Sequence, residues 1–282
     1  MTRPKSPTVL RLQLGALLRI HREAKGLTVT QAAEALEINP SQVSRIETAK
    51  RQPTVMYVKA LCHLYELDDD LTEQLLVMAR QSREDGWWQQ YGFGPAMSTY
   101  AGLEAAAVTA TTFEPTVFPA LLQTAAYAEA LFRSGSGYGP DEIRRQVAFR
   151  LARQGVLHHQ DPLRLHAIVD ESALHRHVGG PDIMRAQLEQ TARLAALFNV
   201  TVQILPFTAA PGIALGGAFS VLRFGEATMD DVVHIDGPLG AIFQAKKDDV
   251  QRCEQLFADL SRLALDETQS LQLIRNWITR LI

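Results

Sequence analysis

The sequence predicts two domains: a small all-helical one in about the first 80 residues, then a larger α/β or α+β one. Three observations carry this. At 282 residues the chain is long enough for two domains on a prior of about 150 residues each. Apolar residues recur at helical spacing at the start; beyond an aromatic stretch, helical patterns alternate with short runs rich in Val, Ile, Leu and Phe. Charge is asymmetric as well: residues 1–60 hold ten Lys/Arg against four Asp/Glu, leaving 18 basic and 27 acidic residues for the remainder. A basic segment on an acidic body points to a polyanion as partner for that segment alone.

Composition narrows the class. Hydrophobic residues make up 46% and charged residues 21%, ordinary globular values that exclude wholesale disorder. No stretch approaches the ~20 apolar residues of a membrane span. Met1-Thr2-Arg3-Pro4-Lys5 has no apolar segment behind it, so it is not a secretory signal and a cytoplasmic protein is expected. Cys62 and Cys253 lie far apart inside apolar helical patterns and are expected as buried reduced thiols.

Leu10 to Ala24 sets Leu10, Leu14, Leu17, Leu18 and Ile20 against Arg11, Arg19, Arg22 and Glu23. That is an amphipathic helix, and Gly26 ends it because glycine tolerates a left-handed cap. Thr28-Val29-Thr30-Gln31 fits a capping box for a second helix, whose Ala32, Ala33, Ala35 and Leu36 make a small flat face. Asn39 then suits an N-cap and Pro40 a first helical position, with Gln42 completing a second capping box. The third helix, Pro40 to Thr48, is expected to bury Val43 and Ile46 and turn Ser41, Gln42, Ser44, Arg45 and Thr48 outward. Short polar residues and one arginine near a helix N-terminus suit insertion into the major groove of double-stranded DNA. Lys50 and Arg51 follow, placed for backbone phosphates. After Gln52-Pro53, Thr54 caps a fourth helix with Val55, Val58, Leu61, Leu64 and Leu67; a fifth, Asp70 to Ser82, buries Leu71, Leu75, Leu76 and Met78.

Leu27-Thr28, then Ser44-Arg45-Ile46-Glu47, Lys50, Pro53 and an apolar helix resemble the phage-repressor class, the XRE or Cro/C1-type helix-turn-helix, over roughly residues 10–80. The resemblance implies that Arg22 and Glu47 form a partly buried ion pair tying the first helix to the third, a structural role. It places Asn39, Ser41, Ser44 and Arg45 at groove-facing positions. Val29 departs from the pattern, which often has a phosphate-binding glutamine there; the amides at the N-terminus of the second helix, opened by Thr28, remain available for phosphate. Gln42 is divided between capping and groove contact. Lys50 and Arg51 read as sequence-independent phosphate contacts. Arg3 and Lys5 lie on a Pro-rich arm for which disorder and DNA contact both stay open.

Ser82 to Tyr100 shifts composition. Trp87, Trp88, Tyr91 and Phe93, punctuated by Gly86, Gly92, Gly94 and Pro95, form a linker expected to pack on the second domain or on a dimer mate. Acidic Glu84 and Asp85 argue against base stacking. Beyond it, helices are expected at Thr124–Arg133, Asp141–Gln154, Pro181–Phe198, Asp248–Leu265 and Thr268–Ile282. Strands are expected at Leu163–Val169, Val200–Pro206, Ala218–Phe224 and Val232–Asp236.

Gly86-Trp87-Trp88, Tyr100-Ala101-Gly102-Leu103-Glu104-Ala105, Phe113-Glu114-Pro115, Pro119-Ala120-Leu121-Leu122-Gln123-Thr124 and Asn199 to Pro206 resemble the C-terminal domain of actinobacterial WhiJ-type, antitoxin-like regulators. That resemblance implies a regulator of developmental or specialised-metabolism genes, often paired with a small partner protein encoded nearby.

Asp170-Glu171, with His166, His175 and His177, is the best constellation for acid/base or metal chemistry. Adjacent acidic residues project in different directions, and an acidic helix start explains them without chemistry. CxxC, HExxH, GxSxG and phosphate-loop signatures are all missing. Gly212 to Gly217 lacks the helix a nucleotide loop requires and reads as a mobile loop beside a pocket.

The expected whole is an all-α phage-repressor-like helix-turn-helix domain followed by a larger α/β (or α+β) mixed-sheet domain. The expected parts are an arm at 1–9, DNA-binding helices at 10–82, an aromatic-rich linker at 83–99, and a regulatory, dimerisation and partner-binding domain at 100–282. The function expected is a homodimeric repressor, nucleoid-associated when bound to DNA, that senses a small partner protein or small-molecule effector. An antitoxin-like protein that mainly sequesters such a partner is the alternative. No enzyme activity, metal, cofactor or membrane partner is expected.

Overall fold

A computed structural model describes residues 6–135, 137–209, 217–225, 229–237 and 240–281. They form two units, one built on residues 6–106 and the other on residues 107–225 and 230–281.

The first unit is helical: α1 Pro7–Ala24, α2 Val29–Ala35, α3 Pro40–Glu47, α4 Val55–Leu64, α5 Asp69–Gln81, a 3-10 turn Trp87–Tyr91, and α6 Pro95–Ala106. Side-chain caps start most of them. Thr28 and Gln31 close a full capping box on α2, while Thr54 and Asp68 accept from Tyr57 N and Leu71 N. Leu14, Leu18, Val43, Ile46, Val58, Leu61 and Leu75 make the shared core. Helix ends are less predictable. Gly26 takes the left-handed cap after α1, but Glu37, Ala49 and Glu66 do so after α2, α3 and α4, at φ near +55°. These are positions where glycine carries no Cβ penalty.

Two expectations are corrected here. The arm at 1–9 does not extend to residue 9: α1 begins at Pro7, whose ring presets the helical φ, and Thr8 and Val9 are buried. Arg3 and Lys5 lie outside the described residues. The aromatic segment also belongs to the first unit rather than forming a separate linker. Trp88 is buried within the first unit, and α6 closes over it. A Cβ on Gly102 would lie 2.3 Å from Thr8 Oγ1 and 3.0 Å from the Trp88 ring, so α6 meets α1 at a distance only glycine permits. Helical spacing does not reveal α6, because four consecutive residues, Ala101, Gly102, Leu103 and Glu104, are all buried.

The second unit is a six-stranded mixed sheet ordered β3-β2-β1-β4-β5-β6, with β1 Thr109–Glu114, β2 Arg164–Asp170, β3 Val200–Leu205, β4 Phe219–Arg223, β5 Val232–Gly237 and β6 Gly240–Gln244. β1, β2 and β3 run parallel; β1–β4, β4–β5 and β5–β6 are antiparallel. α7 Ala125–Gly135 and α8 Pro140–Arg153 join β1 to β2, and the short α9 Ser172–His175 and α10 Pro181–Leu194 join β2 to β3. α11 Lys247–Leu263 covers one face, packing Val250, Phe257 and Leu260 on Phe113, Ile168, Phe219 and Val233. α12 Glu267–Arg280 lies against β3.

The helices and strands expected in this half lie within a few residues of these bounds, except that α10 stops at Leu194 rather than Phe198. β1 and β6 are additions. β1 reads Thr-Ala-Thr-Thr-Phe-Glu, yet it is a central strand, and Thr112 Oγ1 meets Ser220 Oγ of β4 at 3.0 Å. Its buried polarity is satisfied across the sheet, so apolar pattern alone does not show it. Cys62 is buried and Cys253 half-buried, both free.

Candidate nucleic-acid interface

α3 is held by charge and by close approach. Arg22 on α1 grips Glu47 at the end of α3 through two bonds, Nε to Oε1 at 2.7 Å and NH2 to Oε2 at 3.0 Å, and its NH1 donates to Leu27 O at 2.6 Å. Both side chains are buried. The carboxylate bonds raise the Arg22 pKa, so the guanidinium stays charged although burial opposes it. Beneath the pair lies Gly15. A Cβ there would stand 2.6 Å from Glu47 O and 2.7 Å from Ile46 O, so glycine lets α1 reach the carbonyl end of α3. Tyr65 is buried nearby, its hydroxyl without a partner among the described residues and its pKa pushed up by burial and by Glu47.

This clamp leaves the other face of α3 free. Asn39, Ser41, Ser44, Arg45 and Thr48 are exposed, as are Thr28, Lys50 and Arg51. Arg45 and Lys50 make no ion pair among the described residues. The Arg51 guanidinium lies 5.9 Å from the Tyr57 ring centroid. Thr48 Oγ1 is committed to Ser44 O at 2.7 Å. Gln42 corrects an expectation. The second capping box does not form: Asn39 Oδ1 accepts from Ser41 N at 2.8 Å, and the Gln42 side chain turns inward, its Oε1 buried and without a partner among the described residues. Gln42 is half-buried rather than outward-facing. Val29 packs against the core, as an apolar residue at that position must.

The histidine and acid constellation of the second unit does not converge. His166 Nε2 meets Gln203 Oε1 at 2.6 Å, and its ring stands T-shaped to that of Phe257. Asp170 Oδ1 accepts from Ser172 N at 2.8 Å, an N-terminal turn bond at α9. Glu171 accepts from Phe207 N, while His175 sits 3.6 Å from its other oxygen among Phe207 and Trp277. Among the described residues no three metal-binding side chains come together. The loop at Gly212–Gly217 lies outside the described residues apart from Gly217.

Two features of this unit escaped sequence reading. Beyond the carboxyl ends of β1 and β2 lies a cavity of about 780 Å³, lined by Thr116, Val117, Ala130, Leu131, Arg176 and Val178 with Arg133 and His177. Open sheets bind ligands at that end of parallel strands. Glu114, the last residue of β1, has its carboxyl pKa pushed up to about 7, chiefly by burial, with Asp236 adding and Arg150 and Arg153 opposing. An acid closing a strand just before Pro115 is the only hint of it in the sequence.

The chain matches two families: a domain of unknown function (DUF5753) over residues 97–276, and a helix-turn-helix domain over residues 13–75. The second match runs from within α1 to within α5 and includes the clamp and the exposed face of α3. No curated protein and no solved structure matches the chain. No helix among the described residues is long and apolar enough to cross a membrane.

Proposed function

The chain belongs to the family of the domain of unknown function DUF5753, and from that premise and its helix-turn-helix domain we propose a sequence-specific, dimeric transcriptional repressor that reads DNA with α3. One observation carries the reading: Arg45 stands exposed, with no ion pair among the described residues, between Ser44 and the end of a helix whose other face is clamped by Arg22 and Glu47. A rigidly held helix presenting one free guanidinium and two serines is a groove reader. In this reading Ser41, Ser44 and Arg45 contact base edges, Asn39 borders them, and Gln42 supports the helix from its half-buried position. Lys50, Arg51 and the N-terminus of α2 at Thr28 hold phosphates.

One such helix spans a few base pairs, so two copies on half-sites about 34–36 Å apart supply affinity. The second unit receives the signal that releases the protein, with the cavity beyond β1 and β2 as the effector site. The resemblance to WhiJ-type regulators supports a partner protein encoded nearby and developmental or specialised-metabolism targets.

Arg45→Ala should lose about 1–3 kcal/mol of discrimination at one base position, and Lys50→Ala should weaken all DNA binding and reduce the salt slope by about one. Selection of bound DNA from random sequence, followed by salt titration, reads both. An Arg45→Ala protein selecting the wild-type sequence with undiminished preference sinks the assignment.

A further inference from the structure

The sheet has two edges, and the chain treats them differently. Along β3, Ile204 N donates to Ser270 Oγ and Ile204 O accepts from Leu265 N, both at 2.9 Å, so the C-terminal segment covers that edge. Along β6 no described segment pairs with the outer side. β6 reads Gly-Ala-Ile-Phe-Gln, with neither the charge nor the proline by which edge strands are blunted. Its hairpin with β5 also runs beyond the rest of the sheet. β4 pairs with β5 only through Val232, Val233 and His234, whereas β5 and β6 stay paired out to Gly237 and Gly240. On that extension Ile235 and Ile242 are direct cross-strand neighbours, 37% and 58% exposed.

Antiparallel alternation decides what the edge offers. Gly237 and Gly240 flank a two-residue connection and are therefore a hydrogen-bonded pair. Ile235 with Ile242, and Val233 with Gln244, follow as the next bonded pairs toward β5. The N–H and C=O of Ala241 and Phe243 consequently point away from β5, toward the open edge.

We propose that β6 is a dimerisation strand, joining antiparallel to β6 of a second copy about a twofold axis at Ile242. In that register Ala241 of each copy exchanges both backbone bonds with Phe243 of the other. The two Ile242 side chains meet as a non-hydrogen-bonded pair, the closer kind, flanked by the two Ile235 side chains. The edge is self-complementary: one register satisfies every outward amide and carbonyl and brings all four exposed isoleucines to one face. An isologous contact of this kind is what a twofold dimer needs. The inference deepens the dimeric reading above and rests on it.

Sedimentation of the full chain without DNA tests it. The wild type should be dimeric at micromolar concentration, and Ile242→Lys, which opposes two ammonium groups across the axis, should be monomeric with an unchanged circular dichroism spectrum. In a Cys253→Ser background, Ile242→Cys should oxidise to a covalent dimer, because non-hydrogen-bonded pairs hold their Cα atoms about 4.5 Å apart, within disulfide range. Phe243→Cys should not. If Ile242→Lys misfolds, the cysteine pair decides. A monomeric wild type, including one that takes up another protein's strand at this edge, overturns the proposal. So does a dimer indifferent to Ile242→Lys, or equal oxidation of both cysteine variants. DNA reading by α3 is measured separately through Arg45, so failure here leaves that assignment standing.

Discussion

Buried charge separates the two units. In the first, a guanidinium and a carboxylate are buried together, Arg22 on Glu47, with two bonds between them and a third to Leu27 O. In the second, the half-buried Glu114 carboxyl is desolvated at the end of β1, with Arg150 and Arg153 near enough to oppose its pKa rise but not to cancel it. The Arg22 guanidinium stays charged within its pair, whereas the Glu114 carboxyl takes a proton near neutrality. A paired charge thus gives a fixed scaffold under α3, whereas an under-compensated one makes the second unit sensitive to pH.

The strongest way to break this contrast is to remove one half of the pair. Glu47→Gln should cost about 3–5 kcal/mol in urea unfolding, because it strands a buried guanidinium, while replacing both Arg22 and Glu47 with apolar residues should cost far less. If the single and double variants lose equally, the pair is not what holds α3.

Next comes the lone carboxyl. The fold prefers Glu114 neutral, with a pKa of about 7 against 4.5 for a free carboxyl, so its destabilising effect is absent below pH 4.5. Stability should fall as pH rises toward 7, by up to about 3 kcal/mol, and stay level above it. Glu114→Gln should flatten this part of the melting-temperature profile; a variant that keeps the wild-type slope assigns the pH dependence elsewhere.

Gly15→Ala sharpens the comparison by testing approach rather than charge. Its methyl would press on the carbonyls of Ile46 and Glu47, and calorimetry should show a loss of about 1–3 kcal/mol with the ion-pair residues intact. The smallest effect is a gain. Ala49→Gly, at φ +55° just after α3, should stabilise by roughly 0.5 kcal/mol as the left-handed strain is relieved against glycine's greater freedom. Unchanged stability would mean that Ala49 is unstrained.

What was legible differs between the units for a related reason. Caps act within three residues, so Thr28, Asn39 and Thr54 announce α2, α3 and α4 directly. Gln42 had the right spacing for a cap, but its side chain had a second option, the helix interior, which spacing does not register. Likewise nothing local marks Glu37, Ala49 or Glu66 for the left-handed backbone they adopt. In the second unit, strands rich in Val, Ile and Leu stand out. β1 does not, because its buried Thr112 is satisfied by a strand more than a hundred positions away.

Local signals in the sequence are enough to place the starts of α2, α3 and α4, the apolar face of each of the first five helices, and a helix-turn-helix at the basic end of the chain. Those properties depend on residues within a turn or two of one another. Tertiary contacts alone place the aromatic stretch and α6 in the first unit, make Thr109 to Glu114 a central strand, and cover the β3 edge of the sheet while no described segment pairs with the β6 edge. Each depends on what lies opposite: Thr8 and Trp88 against Gly102, Ser220 against Thr112, Ser270 against Ile204. Burial and hydrogen-bond satisfaction are set by the far partner, and no local pattern holds that information.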